Sequence, residues 1–202
     1  MIKNTIKIAL VGQPNVGKSM LINSISNARL KVGNFSGVTV SKEQVFFDYK
    51  NFHIEIVDLP GAYSLNDYTI EEKVTKDFLN NEKYDIILNV LDSTNLQRNL
   101  LLTAELLTLD KKMIIALNMS DEAEKESILI DEIQLSKILG KPCIKTSAAK
   151  KNGITKLLDE ILLKFQSQKV PSKFFFSNVI EEEIENISRI LKENTYETNE
   201  TY

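Results

Sequence analysis

Short apolar strands alternate with amphipathic helices along most of this chain, which predicts an α/β fold: a mostly parallel sheet with helices on both faces. Two further observations agree. Apolar residues make up 43% of 202, enough to bury a full core in one domain plus an appendage. The seven glycines all fall between the predicted elements, as turn and close-approach residues do.

The elements follow in order. Ile6–Val11 is a short buried-strand run, and 18–26 shows helical spacing through Met20, Leu21, Ile22 and Ile25. Residues 44–49 and 54–57 form two adjacent strands, with Lys50-Asn51 as the turn between them. Residues 85–91 give the next strand and 96–109 a helix. A strand at 112–118, a helix at 131–139 ended by Gly140, a short strand at 142–146 and an amphipathic helix at 154–165 complete the pattern. In such a sheet ligands bind beyond the carboxyl ends of the strands, so the loops after Val11, Val57, Asn118 and Thr146 are expected to share one edge.

A polar stretch around Pro171 marks a boundary. Residues 1–168 are read as the main domain and 169–202 as a linker with a short helical segment, spaced by Ile180, Ile184, Ile187 and Leu191.

Composition excludes several classes. Residues 171–202 hold seven Glu against three basic side chains, Lys173, Arg189 and Lys192, within a whole-chain charge of −3. That acidic tail argues against a nucleic-acid partner. One cysteine, Cys143, and one histidine, His53, rule out an internal disulfide and make a structural zinc site untenable. Cys143 is expected in a buried strand and His53 at a strand edge. No apolar run approaches the roughly 18 residues of a membrane span, and no signal peptide opens the chain, so as read it is soluble and cytosolic.

Gly12-Gln13-Pro14-Asn15-Val16-Gly17-Lys18-Ser19 matches G-x-x-x-x-G-K-[ST] between a strand and a helix. Loop N–H groups would cradle phosphates, Lys18 would reach the β- and γ-phosphates, and the Ser19 hydroxyl would coordinate Mg²⁺. Asp58, in Asp58-Leu59-Pro60-Gly61, is placed to hold Mg²⁺ through water, and the Gly61 N–H can face a γ-phosphate. In Gly37-Val38-Thr39-Val40, the Thr39 hydroxyl can complete Mg²⁺ coordination only when a γ-phosphate is present. That dependence would order residues 28–40 and release them after hydrolysis.

Asn118-Met119-Ser120-Asp121 and Thr146-Ser147-Ala148-Ala149 each follow a strand. Ionised Asp121 can accept from the N1–H and 2-amino group of guanine together, whereas adenine offers neither donor. Asn118 would support the loop and the base N7, and the Ala148 N–H would meet the guanine O6. Counting neighbours, the nucleotide-contacting set is Gly12, Asn15, Val16, Gly17, Lys18, Ser19, Met20, Gly37, Thr39, Asp58, Gly61, Asn118, Met119, Asp121, Ser147 and Ala148.

These five elements, in this order, resemble P-loop GTPases. The stretches 32–40, 58–65 (Asp58-Leu59-Pro60-Gly61-Ala62-Tyr63-Ser64-Leu65), 91–100 and 117–123 narrow the resemblance to the ferrous iron transport protein B family, in its N-terminal cytosolic G domain. The likeness covers about residues 3–165, and 178–193 is similar to the start of that family's helical domain, credited with stabilising bound GDP. It implies a GTP-hydrolysing domain (1–168), GTP/GDP and Mg²⁺ as ligands, and a fragment of a larger transporter. The partner would be a membrane transport region, at the cytoplasmic face of a bacterial membrane. Whether the chain forms a homo-oligomer is left open.

Two departures bear on mechanism. Met119 stands where a Lys is usual, keeping apolar cover over the base while losing a tie to the phosphate loop, which implies weaker binding and fast GDP release. Ala62 stands where many GTPases place a water-orienting Gln, which implies slow intrinsic turnover. The resemblance suggests potassium as the compensating device, with Asn15 as a ligand and backbone carbonyls near Gly33 and Asn34 closing the site. A turn-shaping role for Asn15 is the plainer alternative. Lys18, Asn15, Thr39 and Gly61 are then the residues expected to act on the reacting phosphate. Arg29 and Arg98 are read as surface side chains, Arg29 with a second reading as an arginine finger in cis. Two rivals remain: a ribosome-assembly GTPase of the Era or Der type, and a nucleotide-gated interaction module that does not hydrolyse.

Overall fold

The computed structural model describes residues 4–25, 29–35 and 37–167. The predicted segment 169–202 lies outside the described residues, as does the Arg29 side chain.

Seven strands form one sheet: β1 (Asn4–Gly12), β2 (Arg29–Asn34), β3 (Ser41–Tyr49), β4 (Phe52–Asp58), β5 (Ile86–Asp92), β6 (Met113–Asn118) and β7 (Cys143–Lys145). Their order is β2-β3-β4-β1-β5-β6-β7. β4, β1, β5, β6 and β7 run parallel, while β2 and β3 join as an antiparallel wing. The helices are α1 (Lys18–Asn23), α2 (Ile70–Asn81), α3 (Leu96–Leu107), α4 (Ser120–Lys125), α5 (Glu132–Leu139) and α6 (Ile154–Gln166).

The interior strands β5 and β6 are buried along almost their whole length, as parallel strands covered on both faces must be. One face presents Ile8, Leu10, Ile54, Ile56, Ile86, Leu88, Val90 and Ile114 to Leu21 and Ile22 of α1 and to Leu157, Leu158, Ile161 and Leu162 of α6. The opposite face carries Asn89, whose amide donates to Thr103 of α3 at 2.7 Å, and Lys7, whose ammonium lies over Phe78 of α2.

Register places the loops of interest together. Leu10 pairs with Asp58, Gly12 with Val90, Asp92 with Asn118, and Leu117 with Lys145. The loops after β1, β4, β6 and β7 therefore leave one sheet edge, as expected from the alternation.

Four expectations are corrected. Part of the segment 28–40 is a strand, β2, so Gly33 lies within an element and Gly12 ends one. Helices α2 and α4 were not predicted. α1 ends at Asn23 rather than at residue 26, its last turn tied off by Ser24 Oγ donating to the Leu21 carbonyl. His53 is not at a sheet edge: it sits in β4 between Thr5 of β1 and Asp48 of β3, stacked on Phe46 and 2.9 Å from the Asp48 carboxylate. Cys143 is buried in β7, and burial pushes its thiol up to about 11.

Candidate functional site

Sterics require glycine in the loop between β1 and α1 and in the loop after β4. A Cβ on Gly12 would stand 2.6 Å from the Val90 carbonyl oxygen, and one on Gly61 would stand 3.0 Å from Pro14. Gly17 has φ +84° and leads into α1, whose first turn receives no side-chain cap. Those N–H groups are thus available to an anionic ligand. Gly17→Ala would set its Cβ 2.5 Å from Asn118 Nδ2 and strain a left-handed backbone. We expect it to cost on the order of 1–3 kcal/mol of stability and to weaken nucleotide binding, measurable by thermal melting and titration.

Lys18, the first residue of α1, and Asp58, the last of β4, form the charged centre. Burial lowers the Lys18 pKa, and the Asp58 charge partly offsets this. Burial raises Asp58 to about 6; Lys18 opposes the rise and Glu43 adds to it. Asp58 Oδ1 is buried with no hydrogen-bond partner. A buried, unpartnered carboxylate oxygen is costly, and the donor set fits a hydrated divalent cation. Among the described residues no group of three His, Cys, Asp or Glu could hold a metal. The unpartnered Asp58 oxygen fits Mg²⁺, which keeps several waters and takes one or two protein ligands plus phosphate oxygens. Ser19 is exposed beside Lys18, and Thr39 is exposed in an open cleft with Pro60, Ile70 and Glu71.

Asn118 joins the phosphate loop to the base side. Fully buried, it donates from Nδ2 to the Val16 carbonyl at 2.9 Å and accepts at Oδ1 from Ala148 N–H (3.1 Å) and Thr146 Oγ (3.3 Å). The Ala148 N–H expected at the guanine O6 is thus engaged by Asn118 here. Met119 adopts φ 58° as the residue ahead of α4, and its methyl lies against the Gly17 position. The Ser147 hydroxyl holds the Asp121 carboxyl below its usual range, with help from Lys150 at 3.4 Å. Asp121 is therefore an ionised acceptor. Ser147 is buried and bridges to Asn152, which shapes the loop after β7.

Asn15 is exposed with φ 66°, a backbone that Asn tolerates better than most residues, so it shapes the turn whether or not it meets an ion. Gly33 and Asn34 lie in β2 opposite Lys42 and Ser41, in regular sheet rather than in a free loop. Gly37 has φ +78° in the turn before Thr39. Met20 is half exposed on α1.

Several supporting contacts were not legible in the sequence. Gln13 Nε2 donates to the Arg98 carbonyl at 2.6 Å, and the Arg98 guanidinium lies 4.7 Å over the Tyr63 ring. The Ala62 N–H donates to the Gly12 carbonyl, and its methyl is buried. Glu72 accepts from Ser64 and Tyr68 N–H groups, and Glu105 accepts from Leu65 N–H at 2.6 Å. Two carboxylates thus pin the chain after Gly61. The Glu72 position had a readable signal, the capping box Thr69-x-x-Glu72, in which Thr69 Oγ accepts from Glu72 N–H.

A family profile described as Ferrous iron transport protein B matches residues 6–161. The Fe(2+) transporter FeoB of Campylobacter jejuni is 53% identical over 176 residues, covering 87% of this chain and 29% of that protein. The Fe(2+) transporter FeoB of Helicobacter pylori strain 26695 is 58% identical over 180 residues, covering 84% and 28%. The chain therefore spans less than a third of these curated relatives. Among solved structures, the cytosolic domain of the T. maritima FeoB iron transporter in a GDP form superposes with a TM-score of 0.83 at 34% identity, covering 98% of this chain and 77% of that one. The G domain of the same transporter gives 0.76 at 39% identity, covering 81% and 100%.

Proposed function

The chain belongs to the ferrous iron transport protein B family, and from that premise we propose that it is the Mg²⁺-dependent GTP-hydrolysing switch of a bacterial ferrous iron transporter. Its fold is that of a P-loop GTPase G domain. Two matched structures of the T. maritima cytosolic domain are described as GDP and GMPPNP forms, which supports guanine nucleotides as the ligands here. The family match does not favour the Era or Der reading.

The observation that carries the proposal is the Lys18–Asp58 centre, two desolvated opposite charges with one carboxylate oxygen unpartnered. That is an apt place for a polyphosphate and its cation. Bound there, Mg²⁺ would neutralise charge on the phosphate oxygens. Lys18 would reach the same phosphates, Ser19 and Thr39 would offer hydroxyls, and Asp58 would hold the ion through water. Asp121 accepts the guanine edge, and Asn118 holds the phosphate loop against the base loops. Hydrolysis is attack by water on the γ-phosphorus: the new P–O bond forms as the bond to the β–γ bridging oxygen breaks, giving GDP and phosphate. The chain contributes position and charge rather than covalent chemistry.

With the Ala62 methyl buried, no side chain at that position can orient the water. The same observation favours a second reading, a switch that binds GTP without cleaving it. We propose that K⁺ at Asn15, Gly33 and Asn34 supplies the missing electrostatic assistance. The partner would be the membrane region of the longer protein, placing this domain at the cytoplasmic face. Among the described residues no helix is long and apolar enough to cross a membrane.

Turnover of GTP and ATP in KCl and NaCl tests all of this. The expected result is GTP cleavage that is at least about tenfold faster in KCl, an effect of the size that charge stabilisation supplies, and lost in Asn15→Ala. Equal rates in both salts remove the K⁺ proposal. Bound GTP that never cleaves in KCl under single-turnover conditions favours the second reading.

A further inference from the structure

Phe35 is out of character with its surroundings. Lys31, Val32, Gly33, Asn34, Gly37 and Thr39 are exposed, Val32 at 61%, yet Phe35 among them is only 8% exposed. Its ring meets Phe78 of α2 edge to face, centroids 6.1 Å apart at 85°. The Lys42 ammonium sits 5.6 Å from the Phe35 ring and 5.8 Å from that of Phe78. Phe78 is itself backed by Tyr84 at 6.1 Å and by Lys7. One side chain of an exposed segment is thus seated in a built aromatic and cationic socket.

Backbone bonds carry the consequence to Thr39. Phe35 N–H donates to the Val40 carbonyl at 3.0 Å, and Val38 N–H donates to the Phe35 carbonyl at 3.4 Å. Phe35 is therefore tied to Val38 and Val40 on either side of Thr39. The segment is held at one end by β3 and at the other by the Phe35 ring on α2. On the far side, Thr75 Oγ of α2 donates to the Pro60 carbonyl at 3.1 Å, next to Gly61. Phe35, Phe78, Thr75 and Pro60 connect the two segments that face a γ-phosphate.

We propose that Phe35 is a positioning residue for Thr39, setting where its hydroxyl is presented and linking that position to α2 and Gly61. This rests on the GTPase reading above. Thr39 acts only when a γ-phosphate is present, so loss of the socket contact should separate triphosphate from diphosphate binding. A residue that merely stabilised the domain would shift both nucleotides alike.

The test compares GDP with a non-hydrolysable GTP analogue plus Mg²⁺, using the 202-residue chain. Phe35→Ala is expected to weaken the analogue about tenfold, the scale of one lost aromatic pair, while GDP affinity stays within about twofold. Phe78→Ala should match it, the double variant should be no worse than either single, and Phe35→Leu should recover part of the loss. The chain has no tryptophan, so Phe35→Trp introduces one reporter. Its emission should be blue-shifted and shielded from acrylamide, independently of whether Phe35→Ala folds. Equal losses for both nucleotides, no loss, additive single effects, or a freely quenched indole would overturn the Phe35 proposal. If the unaltered chain fails to bind GDP, the GTPase reading itself falls, and this inference with it.

Discussion

Lys18→Ala is expected to lower guanine-nucleotide affinity by about 10- to 150-fold, the worth of a charge-assisted hydrogen bond of ~1.5–3 kcal/mol. Hydrolysis should fall further, by about 10²–10³-fold, because negative charge accumulates at the phosphate oxygens in the transition state. The physical reason is that Lys18 is already desolvated in the free protein, where only Asp58 offsets its burial. A bound polyphosphate meets an ammonium whose hydration has largely been given up beforehand. Fluorescent GDP titration and single-turnover GTP cleavage measure the two effects. The substitution has a second, independent consequence. Lys18 holds the Asp58 pKa down, so its removal should move Asp58 above its value of about 6, visible as a displaced acid limb in Mg²⁺-dependent binding. Unchanged nucleotide affinity in this variant would mean the loop before Lys18 is not a phosphate site.

The parts of the fold visible in the sequence were those whose residue types are dictated locally. β5, β6 and the Ile8–Val11 part of β1 are mostly apolar because interior parallel strands are covered on both faces. β2 left no such trace. Its described side chains, Lys31 to Asn34, are exposed, it contains Gly33, and it exists because β3 supplies a ladder for it. α2 was hidden for a related reason. Between Ile70 and Asn81 its buried apolar residues are only Val74, Phe78 and Leu79, while buried Glu72 and Thr75 serve the loop after Gly61. A stripe interrupted by working polar residues does not read as amphipathic.

The site divides in the same way. Lys18, Ser19, Asp58, Asn118 and Asp121 could be named because phosphate, metal and guanine each demand a particular donor or acceptor at a particular spacing. Gln13 and Glu105 could not be named, and nothing showed that the Arg98 carbonyl would hold Gln13. Their partners lie 85 and 40 residues away along the chain, and any of several polar residues could have filled those places. The sequence also did not show how Asn118 spends its amide. It spans Val16 and Ala148, so a single buried side chain ties the loop before α1 to the loop after β7. A ligand drawing the Ala148 N–H toward its own carbonyl would have to compete with that contact, so base binding is expected to alter phosphate-loop geometry through Asn118.

Asp58→Asn should separate folding from function in opposite directions. The folded-state pKa of about 6 lies above the ordinary aspartate value of 3.8, so the folded chain binds this proton more tightly than the unfolded chain does. The stability associated with that proton is fully present below about pH 4 and is lost as pH rises through about 6. At neutral pH the ionised carboxylate is consequently a burden on the free protein, on the order of 2–3 kcal/mol before solvent relaxation. Replacing it by a neutral amide should therefore raise the melting temperature of the nucleotide-free chain at pH 7.5, with the difference between the two proteins vanishing near pH 4. The same change should abolish the Mg²⁺ dependence of triphosphate binding, since an amide cannot take the role of the ionised carboxylate toward metal-bound water. In the unaltered chain, Mg²⁺-dependent binding should weaken as pH falls below about 6, and metal binding should release a proton in that range. Melting curves from pH 4 to 8, with Mg²⁺ titrations of analogue binding at pH 5.5 and 7.5, measure both limbs. If Asp58→Asn is less stable at pH 7.5 and keeps its Mg²⁺ response, the unpartnered oxygen at the end of β4 is not a metal site waiting for its ion.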